Sequence, residues 1–270
     1  MIFCKELNKS FETKEEMFQA IKNNLPEIMR LKLLKEYRSH EKGSGVSLRI
    51  LDTSKISTAN KLSFDTDEDH YYIAVNTTMV LDSHDDLHDN GIWDDSVITE
   101  QGKNYLVCDH SLAMSNVVVK KAFVEQFVAT IPFAAIGKDY PGNTQALIYK
   151  FRKDKIINEV AGDWLESGDD IEASVRMQYE ELEFALDSNA PDDKKYKDLY
   201  DKYLPKIANK SDFDYISYFF LIKKARNVLE SSLVIAGSNP ATGQIVVMPA
   251  KKEIDQAETS QKMKSSLLLT

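Results

Sequence analysis

Apolar positions follow two periods along this 270-residue chain. Over residues 13–38 they recur at helical spacing, with Met17, Ile21, Leu25 and Ile28 on one face. Thr13 followed by Glu16 fits a capping box. Pro26 is read as opening a second helical piece, since a proline is tolerated in a first turn and not mid-helix. That piece carries Arg30, Lys32, Lys35 and Arg38, a solvated basic face or a dock for an acidic partner. From about residue 46 the texture changes to short runs rich in β-branched and aromatic residues: VSLRIL, YYIAVN, NYLVC, SNVVV, TQALIYKF, IEASVRMQY, LEFAL, SSLVI and QIVVM. So many short strands predict an α+β, mainly β fold, a closed or nearly closed barrel with an N-terminal helix and surrounding helices. Helical inserts are expected near 123–127, 156–165 and 194–207. The organisation expected is a strand and helical segment over 1–45, a barrel domain over 46–250 with a charged insertion at about 188–213, and a polar tail over 251–270. The tail ends in Leu267, Leu268 and Leu269, a mobile end or a docking peptide.

Composition narrows the function classes. The net charge of −9 argues against general nucleic-acid binding, which favours a basic face. No apolar run approaches the roughly 20 residues that cross a bilayer, so no membrane role is expected. The opening MIFCKELNKSF is charged from the start and is not read as a signal peptide, so the chain is expected to act where it is made. Two cysteines, Cys4 and Cys108, are too few for a disulfide framework or a cysteine zinc site. Cys108, inside YLVC, is expected to be a buried thiol.

Three positions carry candidate chemistry. In IEASVRMQY, alternation sets Ile171, Ala173, Val175, Met177 and Tyr179 on one face and Ser174, Arg176 and Gln178 on the other. Ser174 is therefore a candidate nucleophile, or a plain strand serine. There is no G-x-S-x-G elbow to suggest an α/β-hydrolase. His110 ends the strand YLVCDH, and an imidazole exchanges protons near neutral pH. The plainer role is a structural histidine. Glu230 lies in VLESSLVI, where a carboxylate needs a partner: an imidazole N–H, or Arg226 or a lysine of KKAR. A nucleophile, a base and an orienting acid together make a serine-protease triad.

The segment DSHDDLHD holds Asp82, His84, Asp85, Asp86 and His88. Its spacing matches no familiar metal site, so it reads as a polar loop closed by the turn Asp89-Asn90-Gly91, with a metal-dependent hydrolase as a minor alternative.

Taken in order, VLDSHDDLHDNGIW, YLVCDH, ASVRMQY and LESSLVIAGSNPAT resemble the prohead maturation proteases of tailed bacteriophages, which share a fold with the herpesvirus capsid protease, assemblin. The resemblance covers about residues 70–245, and FETKEEMFQAIKNN resembles the N-terminal helix of phage relatives. It implies a herpesvirus-protease-like β-barrel, with Ser174 as nucleophile, His110 as base and Glu230 as third member. Assemblin-type enzymes use a second histidine there, and Asp86 is the reserve. One departure is Asp85, where the family has glycine. The resemblance further implies a serine endopeptidase that needs no cofactor or metal. It would act in the host cytoplasm inside the procapsid on the major capsid protein, a scaffold protein and itself, alongside the portal, as a possible homodimer. The alternative is an inactive structural or scaffolding head component on the same fold.

Overall fold

The computed structural model describes residues 1–37 and 62–246. The expected strand VSLRIL and the tail over 251–270 lie outside them. The fold is α+β with more strand than helix, 35% against 31%. Among the described residues the strands form separate sheets that do not close into a barrel.

The N-terminus forms a short antiparallel pair, β1 (Ile2–Cys4) and β2 (Lys9–Phe11), ahead of helix α1 (Lys14–Leu34). Thr13 caps α1 as expected: the Glu16 backbone N–H donates to its hydroxyl. Pro26 does not begin a new helix. It sits inside α1 on the exposed side, where the lost backbone hydrogen bond is least costly because water reaches the orphaned carbonyl. Met17, Ile21, Leu25 and Ile28 face inward as their spacing predicts, and Lys32 is buried with them.

The largest sheet runs β3 (Glu36–Tyr37), β10 (Glu172–Leu186), β11 (Tyr218–Val234), β6 (Tyr105–Cys108), β7 (Val117–Val119), and β5 (Asp86–His88) also pairs with β11. A second sheet runs β12 (Gly243–Gln244), β4 (His70–Thr77), β9 (Asn143–Arg152), β8 (Glu125–Pro132). The main core lies between the sheets. Ile73, Val75, Leu147 and Tyr149 come from the second sheet; Ala173, Val175, Met177, Ala225 and Leu233 come from the first, and α1 packs into the same cluster. The helices α2 (Asp94–Thr99) and α3 (Glu159–Ser167) flank the sheets. Within the charged insertion, α4 (Lys194–Tyr203) buries Tyr200 and Tyr203 against Phe219 and Leu221 of β11.

Two further expectations change, and a strand stands where none was expected. The 123–127 segment is strand from Glu125, after a short 3-10 turn over Lys121–Phe123. IEASVRMQY and LEFAL are one strand. Its core-facing residues switch from odd positions (Ala173, Val175, Met177, Tyr179) to even ones (Leu182, Phe184, Leu186), because the register to β11 slips between Tyr179 and Leu182. The first half of β11, YFFLIKKAR, went unread because its apolar run lacks alternation: Phe219 and Leu221 pack under α4 while Phe220 and Ile222 enter the main core.

A second irregularity matters more for the site. Ser231 pairs with Val175, yet the next registered pair is Asn227 with Met177. Residues 228–230 thus bulge opposite Arg176 alone, and Leu229 takes a left-handed φ of 67° while its side chain stays half exposed. That conformation costs a β-carbon-bearing residue about 1–2 kcal/mol. Leu229→Gly should therefore leave stability unchanged or raise it by up to about 1 kcal/mol, whereas Leu229→Val should lower it. Urea unfolding of the two variants checks this; a clear loss of stability in the glycine variant would show that the bulge is not strained.

Candidate functional site

β6 runs parallel to β11, with Tyr105 opposite Glu230 and Val107 opposite Ser232. At its end the chain reverses in a tight turn. Ser111 N–H donates to the Cys108 carbonyl at 3.0 Å, and Asp109 and His110 both have positive φ, 51° and 53°. Two consecutive left-handed residues are the mark of a type I′ turn, which Asp and His tolerate better than most side chains. The turn folds His110 back over β11, where its Nδ1 lies 2.9 Å from Glu230 Oε1. Both side chains are almost wholly buried. A carboxylate only accepts, so Nδ1 is the donor in this pair.

Ser174 stands on the neighbouring strand. It is directly opposite Ser232 in the β10–β11 register, and directly opposed residues project on one face. Ser232 and Glu230 are two apart on β11 and share that face. The expected alternation holds: Ser174 lies away from the face of Ala173 and Val175. That outer face is itself covered, with Ser174 6% and Arg176 7% exposed. Ser174 Oγ makes no hydrogen bond among the described residues.

The GSNPAT segment braces the start of β10. The Ala173 N–H donates to Thr242 Oγ1 (3.1 Å), and that hydroxyl donates to the Ala173 carbonyl (2.7 Å). Gly237 N–H donates to Glu172 Oε2, and a β-carbon on Gly237 would press within 3.0 Å of the Ala173 carbonyl. Asn239 ties the same segment to β4, donating to the Thr77 carbonyl at 2.9 Å. The backbone beside Ser174 is thus held by buried side-chain bonds where β3 no longer pairs with it.

Asp86 is elsewhere. β5 meets β11 at Phe220, ten residues before Glu230, about 30 Å along a strand. Its carboxylate takes Lys32 Nζ at 2.6 Å and the Tyr179 hydroxyl at 2.8 Å. His88 lies 3.4 Å from that same hydroxyl, and its Nδ1 meets Asn76, which also accepts from Trp93. Asp82 Oδ1 accepts from the backbone of His84 and Asp86. The donors that suggested a metal are thus spent on one another and on α1. Asp85 takes a φ of 57°, keeping the left-handed turn that the expected glycine would adopt, and pairs with Lys5 at 3.0 Å. The turn at Asp89-Asn90-Gly91 forms as read, with Gly91 at φ 86°. Burial pushes Asp86 up to about 7 against the pull of Lys32, and Asp85 up to about 6. Cys108 is only partly buried, and burial with Asp109 nearby pushes its thiol up to about 11. That makes it a poor nucleophile at neutral pH.

Sequence reasoning paired Glu230 with either an imidazole or Arg226. Arg226 instead donates to Gln178 Oε1 at 2.8 Å. Ser232 was not singled out, though its place two residues after Glu230 could have marked it. A groove of about 460 Å³ beside α3, lined by Tyr71, Lys153, Glu159 and Glu166, contains none of the three candidates. No helix among the described residues is long and apolar enough to cross a membrane. The chain matches no protein-family model, no curated protein and no solved structure.

Lys32→Ala leaves Asp86 buried beside Tyr179 alone and should cost about 3–5 kcal/mol in denaturant unfolding, because a lone buried charge is far worse than a paired one. The pH dependence has a definite sign. A carboxyl held above its unfolded value favours the native state while protonated, and that contribution is lost as pH rises through the folded value. The stability of the wild type relative to Asp86→Asn should therefore fall between about pH 4 and 7. A difference that is flat or rises over that window would contradict the arrangement.

Proposed function

We propose that this chain is a serine endopeptidase of the prohead-maturation type, acting on capsid and scaffold proteins, and on itself, during phage head assembly. The observation that carries the reading is the buried His110–Glu230 pair, set on the same face as Ser174 and one strand away. An acid, an imidazole and a serine drawn from three strands are the parts that acyl transfer requires. Their order along the chain is the one that the resemblance implies.

In this reading Ser174 Oγ attacks the scissile carbonyl carbon while His110 Nε2 takes its proton. The tetrahedral intermediate collapses as His110 returns that proton to the leaving amine. Water, deprotonated by the same nitrogen, then attacks the acyl carbon; the bond to Ser174 Oγ breaks, and His110 returns the proton to that oxygen as the acid product leaves. Glu230 keeps Nδ1 protonated and steadies the imidazolium. No step calls for a metal or cofactor. The partners are the major capsid protein, scaffold and portal inside the procapsid, with homodimerisation by analogy with assemblin.

A second reading, an inactive head component on the same fold, is favoured by one observation. Ser174 Oγ lacks the hydrogen bond, about 2.6–3.2 Å long, of a working serine–histidine pair. Resting enzymes often tighten that contact only on binding substrate.

The test is intact-mass analysis after co-expression with the neighbouring capsid precursor. Wild type should truncate the precursor or itself at discrete sites. Ser174→Ala and His110→Ala should each lose this by on the order of 10³-fold or more, and Glu230→Gln should retain the fold with a comparable or smaller loss. Identical masses in wild type and Ser174→Ala, also within assembled shells, would favour the structural role.

A further inference from the structure

We infer that Ser232 is a positioning residue, a buried hydroxyl that holds His110 on Glu230 and in register with Ser174. This rests on the reading of those three residues given above and adds a fourth to it.

The inference starts from the turn. A histidine in a left-handed conformation must be held there, because most other conformations are open to it at lower cost. The His110 backbone N–H is turned into the protein by that conformation and donates to Ser232 Oγ at 2.8 Å. The hydroxyl is fully buried and lies 3.2 Å from both the Val107 and Leu233 carbonyls, either of which can accept its proton. It thus reaches the His110 turn, β6 through Val107 and its own strand. Asp109 N–H donates to the Leu233 carbonyl at 3.1 Å, so both left-handed residues are tied to the same two positions of β11.

The register makes this placement specific. Glu230 is two residues before Ser232 on the same face, and Ser174 is directly across from it. The hydroxyl therefore fixes the backbone of the base between the acid and the nucleophile. Without it the His110 N–H is buried with no acceptor, and the turn can recover that bond only by moving. Movement of that kind shifts the imidazole relative to both partners, and a displacement near 1 Å can cost about 10²-fold in rate. Neither Cys nor Ala supplies an equivalent acceptor, whereas Thr does.

The test separates this role from the protease reading. In full-length Ser174→Ala protein with labelled histidine, proton NMR should show a slowly exchanging, far-downfield Hδ1 from His110, deshielded by its hydrogen bond to Glu230; loss in Glu230→Gln assigns it. Adding Ser232→Ala should broaden or abolish that signal, and Ser232→Thr should restore it. If the alanine variant fails to fold by circular dichroism, Ser232→Cys takes its place, with the same loss expected. In the active chain, Ser232→Ala should lower kcat by on the order of 10–10²-fold with little change in KM, recovered by threonine. An Hδ1 signal indifferent to Ser232 would overturn the inference even if cleavage is seen. An Hδ1 signal lost with Ser232, in a chain that cleaves nothing, would keep the positioning role and remove the protease.

Discussion

The antiparallel pairing of β10 with β11 sets everything else at the site. It runs from Glu172 opposite Val234 to Leu186 opposite Tyr218, and both strands are buried along most of their length. A slip of one residue would turn Ser174 toward the core and bring Val175 outward, so the hydrophobic pattern enforces the register that keeps Ser174 on the face of Ser232. β11 is also the shared partner of β5 and β6, so the same strand positions the Lys32–Asp86 network near its start and the His110–Glu230 pair near its end. The bulge at 228–230 preserves the alternation, because it adds two residues and leaves the faces on either side of it unchanged. Asn227 and Ser231 both face the second sheet, where Asn227 donates to the Tyr149 hydroxyl and to Ser231, while Glu230 and Ser232 face outward beneath His110.

The local elements were legible in the sequence wherever a single period governed a single environment. The α1 stripe, the Thr13 cap, β4, β6, β9 and α4 all follow from spacing and turn residues. Legibility failed where tertiary packing changed the rule inside an element. β10 reads as two strands because a bulge reverses its alternation. The start of β11 reads as featureless because α4 covers one side of it and the core covers the other. Pro26 reads as a boundary because propensity does not record that its side of the helix meets water. Closure of the sheets is the least local property of all, and the barrel read from strand count is not what these strands form.

The candidate site divides in the same way. That Glu230 needed a partner was legible, since a carboxylate within VLESSLVI has no other reason to be tolerated. Which partner it would find was not, because His110 is 120 residues away in sequence and reaches it only through the parallel pairing of β6 with β11. Asp86 has the same local signature, a carboxylate beside an apolar run, and is taken by Lys32 of α1. Only topology separates the two. Ser232 carries no signature of its own: a serine in a strand becomes a scaffold for a base only when the neighbouring turn presents an N–H to it.

The remaining constraint concerns the energetics of Glu230. It is fully buried, and its Oε2 has no hydrogen-bond partner among the described residues. A carboxylate in that position forgoes hydration on one oxygen and recovers part of it on the other through His110. Stability alone would favour an apolar pair of similar volume here, since buried ion pairs seldom repay their desolvation. The Asp86 network differs in this respect: both of its carboxylate oxygens are bonded, one to Lys32 and one to Tyr179, and it links α1 to the sheet. The two buried acids thus stand at opposite ends of one strand with opposite degrees of satisfaction. An under-bonded acid held against a histidine is the less stable choice, and among the described residues it shares that lack of a partner only with the side-chain oxygens of Asn104 and Asn227. In the proposed reading, that cost is what a catalytic pair accepts and a structural ion pair has no reason to.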